Sequence, residues 1–268
     1  MTPHTPARWA ARAVGAALML TLVAGCASEA REGGTSLRAP EVLRAGTLTV
    51  CSDMPYAPFE SMEKGKPVGF DIDLVREVAA ELDLRLEIED TDFDAIQSGD
   101  ALNSDQCDLA ISAMTITGER ARVLDFSSPY FDASQALVVA EGSGIDALDD
   151  LAGRRIGVQG GTTGELYLTD NAPSSADVMP FEDAAAMEEA LTTGAVDAAV
   201  YDNTVVGDVV ADHPDFTVSA EFDTGEQYGM AVKKNGNVDL LRTVNQVLAT
   251  LEEDGGYDEI YTTWFGGA

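Results

Sequence analysis

Strand-like and helix-like segments alternate along this chain, and the alternation limits the folds that it can adopt. Extended segments are predicted at residues 47–51, 84–89 and 108–112, and a helix is predicted at residues 72–82. The helix carries one apolar stripe at helical spacing, and Asp71 is placed to cap its N-terminus. This alternation is typical of a mainly parallel sheet flanked by helices.

A second series of the same kind occupies the middle of the chain. Its segments are extended at residues 155–158, 178–181 and 196–201, and helical at residues 162–169, 183–191 and 204–211. Two apolar extended runs, residues 135–140 and 227–232, bracket this series, and only helices are predicted afterwards, at residues 238–252 and 257–264. We therefore predict an α/β protein with two lobes, each a mainly parallel sheet flanked by helices, joined by two crossing strands. The second lobe is inserted at residues 141–226, and the first lobe comprises residues 43–140 and 227–268.

The N-terminus has the features of a targeting segment. Arg8 and Arg12 precede an apolar run at residues 13–24, which is too short to span a membrane. The run ends in Leu-Val-Ala-Gly-Cys at residues 22–26, which resembles the lipobox of bacterial lipoproteins, where the cysteine is diacylated. We expect a signal peptide at residues 1–25, a lipid such as palmitate on Cys26 and a flexible tether at residues 26–42. The alternative is a plain signal peptide with an incidental cysteine.

The charge balance excludes some classes of partner. The chain has 47 acidic and 16 basic residues, a formal net charge of −31. Nucleic acids and anionic lipid surfaces require clustered Lys and Arg, so neither is expected as a partner. The acidic surface is interpreted as a solvated one, with a weak attraction for cationic ligands as the alternative.

One segment, residues 108–131, indicates a binding site. An apolar strand is followed by Ser112 and Thr115, and Thr117 then begins a helical turn that carries Arg120. A guanidinium matches a carboxylate with two parallel hydrogen bonds, while hydroxyl groups and the N–H groups of a helix start supply further donors. The segment predicts a carboxylate-binding site; a surface ion pair is the alternative role for Arg120.

Seven motifs occur in one order along the chain. They lie at residues 53–60 (DMPYAPFE), 69–74 (GFDIDL), 92–94 (DFD), 115–120 (TITGER), 125–127 (DFS), 157–163 (GVQGGTT) and 196–202 (VDAAVYD). Together they resemble the bacterial extracellular solute-binding proteins of family 3, the polar amino-acid-binding proteins of ABC importers, over residues 43–266. The resemblance implies the two-lobed type II periplasmic-binding-protein fold.

The resemblance also implies a role for individual residues. Arg120 is expected to bind the α-carboxylate of an amino acid with help from Thr115 and Thr163, and Asp202 its α-ammonium group. For Asp202 the alternative is a helix N-cap. Ligand-binding positions of the family are matched by Asp53, Tyr56, Phe93, Ser112, Ala113, Thr115, Arg120, Gln159, Thr162, Thr163 and Asp202.

Three of these positions bear on the ligand side chain. Tyr56 and Phe93 match aromatic positions that enclose its aliphatic part, with core packing as the alternative. Asp53 matches a position that reaches the side chains of cationic and amide ligands, with a loop-capping role as the alternative. No lysine falls at a matched pocket position, so acidic ligands are disfavoured and cationic or polar amide ligands are favoured.

The residue inventory favours a binding protein over an enzyme. None of the sequence motifs of hydrolases, zinc proteases or P-loop proteins is present, and His4 and His213 are the only histidines, so no metal or cofactor is expected. Alternatives on the same fold are a cyclohexadienyl dehydratase-like enzyme, with Asp53 or Glu60 as its acid, and an amino-acid-sensing receptor subunit. As a binding protein it would be an extracytoplasmic, lipid-anchored monomer whose partner is an ABC transporter permease.

The two remaining cysteines lie at opposite ends of their predicted strands. Cys51 ends one strand and Cys107 precedes another. In parallel neighbours those positions lie about 10 Å apart, beyond the ~7 Å limit for a disulfide. We therefore expect two buried free thiols, with a disulfide as the alternative.

Overall fold

The two series of segments form two separate five-stranded sheets in the computed structural model, which describes residues 40–266. Strands in this part of the chain are β1 (Thr47–Ser52), β2 (Ser61–Glu63), β3 (Lys66–Val68), β4 (Arg85–Asp90), β5 (Leu109–Ala110), β6 (Leu124–Phe126), β7 (Phe131–Ala140), β8 (Arg155–Gln159), β9 (Asp177–Phe181), β10 (Ala198–Asp202), β11 (Phe216–Tyr228) and β12 (Ala231–Lys233). The predicted signal peptide, Cys26 and the tether up to residue 39 lie outside the described residues.

Each sheet contains one strand that runs against the other four. The first sheet has the order β4-β1-β5-β12-β6, and in it β12 is antiparallel to both neighbours. The second has the order β11-β7-β10-β8-β9, and in it β7 is antiparallel to both neighbours. Both sheets are therefore mainly parallel, and the predicted fold class is confirmed. Strands β2 and β3 form a separate hairpin.

Helices cover these sheets. In the described part of the chain they are α1 (Phe70–Glu81), α2 (Phe93–Gln97), α3 (Asp100–Asn103), α4 (Arg120–Val123), α5 (Thr163–Asn171), α6 (Ala184–Thr192), α7 (Val206–Asp212), α8 (Val238–Asp254) and α9 (Gly256–Phe265). Thr162, Asp183 and Asn237 cap α5, α6 and α8, because each side chain accepts a hydrogen bond from the backbone N–H three residues later. Between residues 40 and 266, no helix has the length and apolar character needed to cross a membrane.

The chain passes between the sheets at two neighbouring points. It leaves the first sheet after β6 and returns to it at β12, while β7 and β11 pair in antiparallel fashion from Phe131 and Tyr228 onward. The predicted crossing run at residues 135–140 lies inside β7, so the first passage occurs earlier, at residues 127–130. An apolar run predicts a strand but does not reveal which sheet it joins. The lobe boundaries at residues 141 and 226 stay predictions.

Aromatic rings fill the space beside these passages. Phe59 is fully buried and lies 5.0 Å from Phe131, 5.4 Å from Tyr228 and 5.3 Å from Phe265, measured between ring centroids. These residues come from the first lobe, from both crossing strands and from the last helix. Their packing therefore fixes the crossing strands against the first sheet.

The predicted capping role of Asp71 is wrong. Gly69 is the N-cap of α1, no side chain caps this helix, and the carboxylate of Asp71 is fully buried. It accepts hydrogen bonds from the backbone N–H of Ala113 and from the hydroxyl of Tyr130, both at 2.8 Å. An acidic residue before an apolar stripe has the same sequence pattern whether it caps the helix or lies inside the core.

The expectation of two free thiols is also wrong. Cys51 and Cys107 form a disulfide, with 5.8 Å between their Cα atoms. The predicted separation assumed an extended strand of four or five residues, whereas β5 has two. The chain bends at residues 106 and 108, so Cys107 turns back toward Cys51 instead of continuing the strand.

Reduction of this disulfide is expected to lower the free energy of unfolding by about 2–4 kcal/mol, because the bridge closes a long loop in the unfolded chain. Urea unfolding with and without a reductant measures the difference. The Cys51→Ser/Cys107→Ser double variant is the control and should unfold at the same urea concentration in both conditions. A wild-type midpoint that does not respond to reductant would contradict the prediction.

Candidate functional site

The eleven residues matched to ligand-binding positions line one cavity. Its volume is about 30 Å³, and it is lined by Asp53, Tyr56, Phe93, Ser112, Ala113, Thr115, Arg120, Gln159, Thr162, Thr163 and Asp202. Seven of these residues belong to the first lobe and four to the second. The cavity lies where β1, β5, β8 and β10 end, which is where ligands bind in open α/β sheets.

Arg120 places a buried positive charge in the cavity wall. Only 4% of this residue is exposed. Its Nη1 donates to the carbonyl oxygen of Thr115 at 2.8 Å, and its Nη2 donates to that of Gly161 in the other lobe at 3.0 Å. Burial lowers the pKa of Arg120 to about 10, although Asp202 and Glu226 act in the opposite direction. The guanidinium therefore stays charged at neutral pH.

The same guanidinium lies over an aromatic ring. Its central carbon is 5.1 Å from the centroid of Phe93, which begins α2 and is itself 93% buried. The contact is a cation–π interaction in a partly desolvated setting. Phe93 therefore restricts the position of Arg120 as well as lining the cavity.

Asp202 is held by neutral donors at the end of β10. Its Oδ1 accepts a hydrogen bond from Nε2 of Gln135 at 2.6 Å, and its Oδ2 accepts one from the hydroxyl of Tyr228. Burial and the nearby carboxylate of Glu226 raise the pKa of Asp202 to about 6. The N-cap alternative is not observed, because α7 begins after Val205 without a side-chain cap.

Asp53 lines the same cavity and lies directly after β1. Its Oδ2 accepts a hydrogen bond from Nε2 of Gln159 at 2.7 Å, a contact between the two lobes. Burial raises the pKa of Asp53 to about 6, and the carboxylates of Asp90, Asp183 and Asp92 add to this rise. The side chain is thus an acceptor whose charge no described ion pair neutralises.

Glu226 is a central residue that the sequence interpretation missed. It lies on β11 at a register shift, is 8% exposed, and its Oε2 accepts from the hydroxyls of Thr115 at 2.7 Å and Thr163 at 2.6 Å. Its Oε1 accepts from Gln135 at 2.9 Å and from Thr224 at 2.7 Å. Burial alone would raise the pKa of Glu226, but these four hydrogen bonds outweigh burial and lower it. In the sequence, the feature that points to Glu226 is its position directly before the apolar run at residues 227–232.

The remaining cavity residues hold the local backbone. Thr162 donates to the carbonyl oxygen of Gln159 at 2.7 Å and caps α5, which places Thr163 at the start of that helix. Ser112 donates to Glu60 at 2.6 Å, and Ala113 adopts a positive φ of 40°. Within residues 40–266, no group of three or more His, Cys, Asp and Glu side chains is arranged to hold a metal ion.

Comparison with known proteins identifies relatives along nearly the whole described chain. The model of the family described as "Bacterial extracellular solute-binding proteins, family 3" matches residues 48–267. A probable histidine-binding protein of Neisseria gonorrhoeae is 32% identical over 239 residues, covering 87% of this chain and 88% of that protein.

Solved structures resemble this chain over a similar share of its length. An ancestral arginine-binding protein bound to arginine has a TM-score of 0.77 and 41% identity, over 82% of this chain and 99% of that one. An ancestral arginine-binding protein bound to glutamine has a TM-score of 0.79 and 40% identity, over 84% and 100%. The fold of this chain is thus that of amino-acid-binding proteins.

Replacing Glu226 by glutamine is expected to lower the free energy of unfolding by about 1.5–3 kcal/mol. The amide retains one acceptor, while its NH2 group faces donors that need an acceptor. Urea unfolding measures the loss. Glu221→Gln is the matched control, because it removes the same charge from an exposed position on the same strand and should change stability by at most about 0.5 kcal/mol. Equal effects of the two variants would contradict a special role for Glu226.

Proposed function

Because this chain belongs to the bacterial extracellular solute-binding proteins, family 3, we propose that it captures one amino acid outside the cytoplasm and delivers it to an ABC importer. The observation that carries the proposal is a single cavity lined by a buried guanidinium, Arg120, and a partly buried carboxylate, Asp202. A free amino acid has a carboxylate and an ammonium group, and it requires an opposite charge at each end when it leaves water.

Arg120 binds the α-carboxylate in this proposal. Its guanidinium is charged, desolvated and fixed by two backbone carbonyls and by Phe93, so little ordering remains to be done when a ligand arrives. The start of α5 at Thr163 faces the same cavity, and the N-terminus of a helix favours an anion. These features support the carboxylate at this end.

Asp202 binds the α-ammonium group. Its pKa of about 6 leaves it mostly ionised at neutral pH, and its hydrogen-bond partners Gln135 and Tyr228 are uncharged. Neither residue neutralises the negative charge of Asp202, and the ammonium group of a ligand would do so. The positive charge of the ammonium group would stabilise the ionised form of Asp202 and thereby lower its pKa.

The charges around the cavity favour a cationic or amide side chain on the ligand. Asp53, Asp202 and Glu226 are acidic, whereas Arg120 is the one base that lines the cavity. A zwitterionic ligand leaves this negative excess unchanged, and a cationic side chain reduces it. Asp53 is placed to accept a hydrogen bond from a guanidinium, an ammonium or an amide N–H group. The names of the relatives, which mention histidine, arginine and glutamine, support this range.

Closure of the two lobes around the ligand is part of the proposal. Contacts between the lobes already surround the cavity, namely Asp53 to Gln159, Arg120 to Gly161, and the hydroxyls of Thr115 and Thr163 at 3.4 Å. A ligand that touches both walls adds to these contacts in the closed state alone. The equilibrium shifts toward closure by as much as the ligand prefers the closed state over the open one.

We further propose that the protein is exported and held at the cell membrane. The signal peptide would direct export, and the lipid on Cys26 would hold the protein at the membrane. The flexible tether would let the folded part, a monomer, reach a permease. An extracytoplasmic location is consistent with the family.

An enzymatic role on the same fold is the second candidate. Glu60 has no exposed surface and is absent from the residues that line the cavity, so it could not reach a substrate there. Asp53 does line the cavity, and its pKa of about 6 suits an acid. The relatives named above are binding proteins, which favours binding without turnover. A receptor subunit would bind its amino acid by the same contacts.

A thermal-shift screen of the twenty amino acids on wild type and on Asp53→Asn tests the ligand class. We expect the largest shift with a cationic or amide amino acid, and a changed ranking among ligands in the variant, because Asp53 contacts the side chain. Uniform loss of all shifts in Asp53→Asn would contradict the side-chain contact. Incubation with prephenate or arogenate is the parallel test of the enzyme, and an aromatic product with turnover would overturn the binding role.

Arg120→Ala is expected to weaken binding of the preferred ligand at least about 30-fold, because an unpaired buried charge costs about 2–5 kcal/mol. Titration calorimetry measures the change. Arg122→Ala is the matched control, since Arg122 lies two residues later on α4 with 70% of its side chain exposed. Binding by Arg120→Ala within threefold of wild type would show that the carboxylate site is misassigned.

A further inference from the structure

Two carboxyl groups that the binding site does not use directly lie behind its wall. Glu60 and Asp71 come from the motifs at residues 53–60 and 69–74, and both are 0% exposed. In front of them are Ser112 and Ala113, which line the ligand cavity. These two wall residues are attached to the carboxyl groups by hydrogen bonds.

One oxygen of each carboxyl group is anchored. Oε1 of Glu60 accepts from the hydroxyl of Ser112 at 2.6 Å. Oδ2 of Asp71 accepts from the backbone N–H of Ala113 and from the hydroxyl of Tyr130, both at 2.8 Å. Ser112 in turn accepts from the backbone N–H of Asp53 at 3.1 Å. The chain of contacts therefore reaches from the buried carboxyl groups to three residues of the cavity wall.

The other oxygen of each group has no separate donor. Oε2 of Glu60 and Oδ1 of Asp71 are both buried, and neither receives a hydrogen bond from an N–H or hydroxyl group of the described residues. The two side chains lie within hydrogen-bonding reach of each other. Two ionised carboxylates cannot form a hydrogen bond, because both are acceptors only, whereas one proton between them satisfies both oxygens.

We propose that Glu60 and Asp71 share one proton and act as a single positioning unit that holds Ser112 and Ala113 in the wall of the ligand site. The pair carries one negative charge in this arrangement. Its effect on ligand binding rests on the function proposed above, whereas the shared proton is a property of the folded chain alone.

The surroundings place the negative charge on Asp71 and the proton on Glu60. Asp71 lies in the first turn of α1, where the helix dipole favours an anion, and it accepts two hydrogen bonds from neutral donors. Glu60 accepts one, from Ser112. Burial raises the pKa of Glu60 well above its ordinary value, and repulsion from Asp71 raises it further. Burial also raises the pKa of Asp71, but the hydrogen bonds from Ala113 and Tyr130 act in the opposite direction, so Asp71 is the group of the pair that ionises first.

The backbone forces the two groups together. The N–H of Asp71 donates to the carbonyl oxygen of Phe59 at 3.0 Å, which places residues 60 and 71 side by side. Gly69 permits this approach, because its φ is 139° and a Cβ atom there would lie 1.9 Å from the oxygen of Phe59. The backbone therefore holds residues 60 and 71 next to each other at the start of α1.

No opposite charge replaces the proton if the pair loses it. The titratable groups that act on the pair from neighbouring elements are Asp53 after β1, Tyr56 in the following loop, Tyr130 before β7 and Tyr257 on α9. All four are acids. Neither Glu60 nor Asp71 takes part in an ion pair among the described residues. Loss of the proton would leave two adjacent buried negative charges.

The sign of the pH dependence follows from this arrangement. In the unfolded chain both groups ionise near pH 4, whereas burial raises the pKa values of both groups in the folded chain, so the folded pair still holds a proton where the unfolded chain holds none. The folded state binds more protons than the unfolded state in this range. The pair therefore stabilises the folded state most below pH 4, and its contribution to the free energy of unfolding falls as pH rises. Where the folded chain holds one proton more than the unfolded chain, the equilibrium constant for unfolding rises about tenfold per pH unit.

Glu60→Gln is the main test, because glutamine keeps an acceptor for Ser112 and a donor for Asp71 without a titrating proton. Urea unfolding is measured from pH 5 to about 8, where the pair titrates. We expect Glu60→Gln to lose the part of the downward slope that the pair contributes, and Asp71→Asn to lose it as well, while Asp53 and Asp202 contribute the same slope in all the proteins. Glu63→Gln, an exposed position on β2, is the matched control and should keep the wild-type slope. Unchanged slopes in both Glu60→Gln and Asp71→Asn would overturn the proposal.

Infrared spectroscopy of ligand-free protein provides a second readout. At pH 6 the carbonyl stretch of buried protonated carboxylic acids should be equally strong in wild type and Glu63→Gln and weaker in Glu60→Gln, where Asp53 and Asp202, with pKa values of about 6, still contribute to it. A band of equal strength in wild type and Glu60→Gln would overturn the shared proton, whether or not any amino acid binds.

The positioning role has its own measurement. With the ligand chosen by the thermal-shift screen, Glu63→Gln should show the same change of affinity between pH 6 and 8 as wild type, a change to which the ionisation of Asp53 and Asp202 also contributes. Glu60→Gln should lack the weakening that loss of the shared proton adds, so its affinity at pH 8 relative to that at pH 6 should exceed the ratio for Glu63→Gln more than twofold. If the pH dependence of affinity is the same in Glu60→Gln and Glu63→Gln, the pair does not position the wall. If no amino acid binds any of the proteins, the proposed function fails while the stability and infrared results still stand.

Discussion

The dominant constraint in this molecule is the cost of removing the guanidinium of Arg120 from water. Its burial is tolerated because backbone carbonyls from both lobes accept its hydrogen bonds and the ring of Phe93 lies against its face. The carboxylates of Asp202 and Glu226 lie close enough to favour its charged form. The strands, the crossing segments and the helix start at Thr163 can all be understood as the frame that brings these groups together.

The acids near Arg120 accept their hydrogen bonds from neutral hydroxyl and amide groups. Gln135 donates to both Asp202 and Glu226, and Thr115 and Thr163 both donate to Glu226. Neutral donors stabilise an ionised carboxylate without cancelling its charge. The cavity wall therefore stays negative around one fixed positive group, and a dipolar molecule has one favoured orientation inside it.

Much of the fold could be predicted from the sequence, because buried strands and capped helices have strong local patterns. The positions of β8 and α5, for example, follow from an apolar run and from the cap at Thr162. The residues of the cavity were found by their order in motifs rather than by physics alone. What failed depended on contacts distant in sequence: the partner of Cys107, the sheet that receives residues 135–140, and the environment of Asp71.

Glu226 illustrates the limit most clearly. Its carboxylate meets Thr115, Gln135 and Thr163, which are 111, 91 and 63 residues away along the chain. No local pattern distinguishes such a residue from the many acids on the surface of a chain that has 47 of them. The register shift of β11, which turns this side chain inward, becomes visible only when both crossing strands are paired.

The disulfide between Cys51 and Cys107 links stability to the compartment in which the chain folds. Disulfides persist outside the cytoplasm and are rare within it. The covalent attachment of the strand that leads to Asp53 therefore depends on an oxidising compartment. Under the export proposed above, the chain made in the cytoplasm would lack the bridge and form a weaker fold, which is easier to keep unfolded for passage through a translocation channel. Oxidation on the far side would then make it resistant to unfolding.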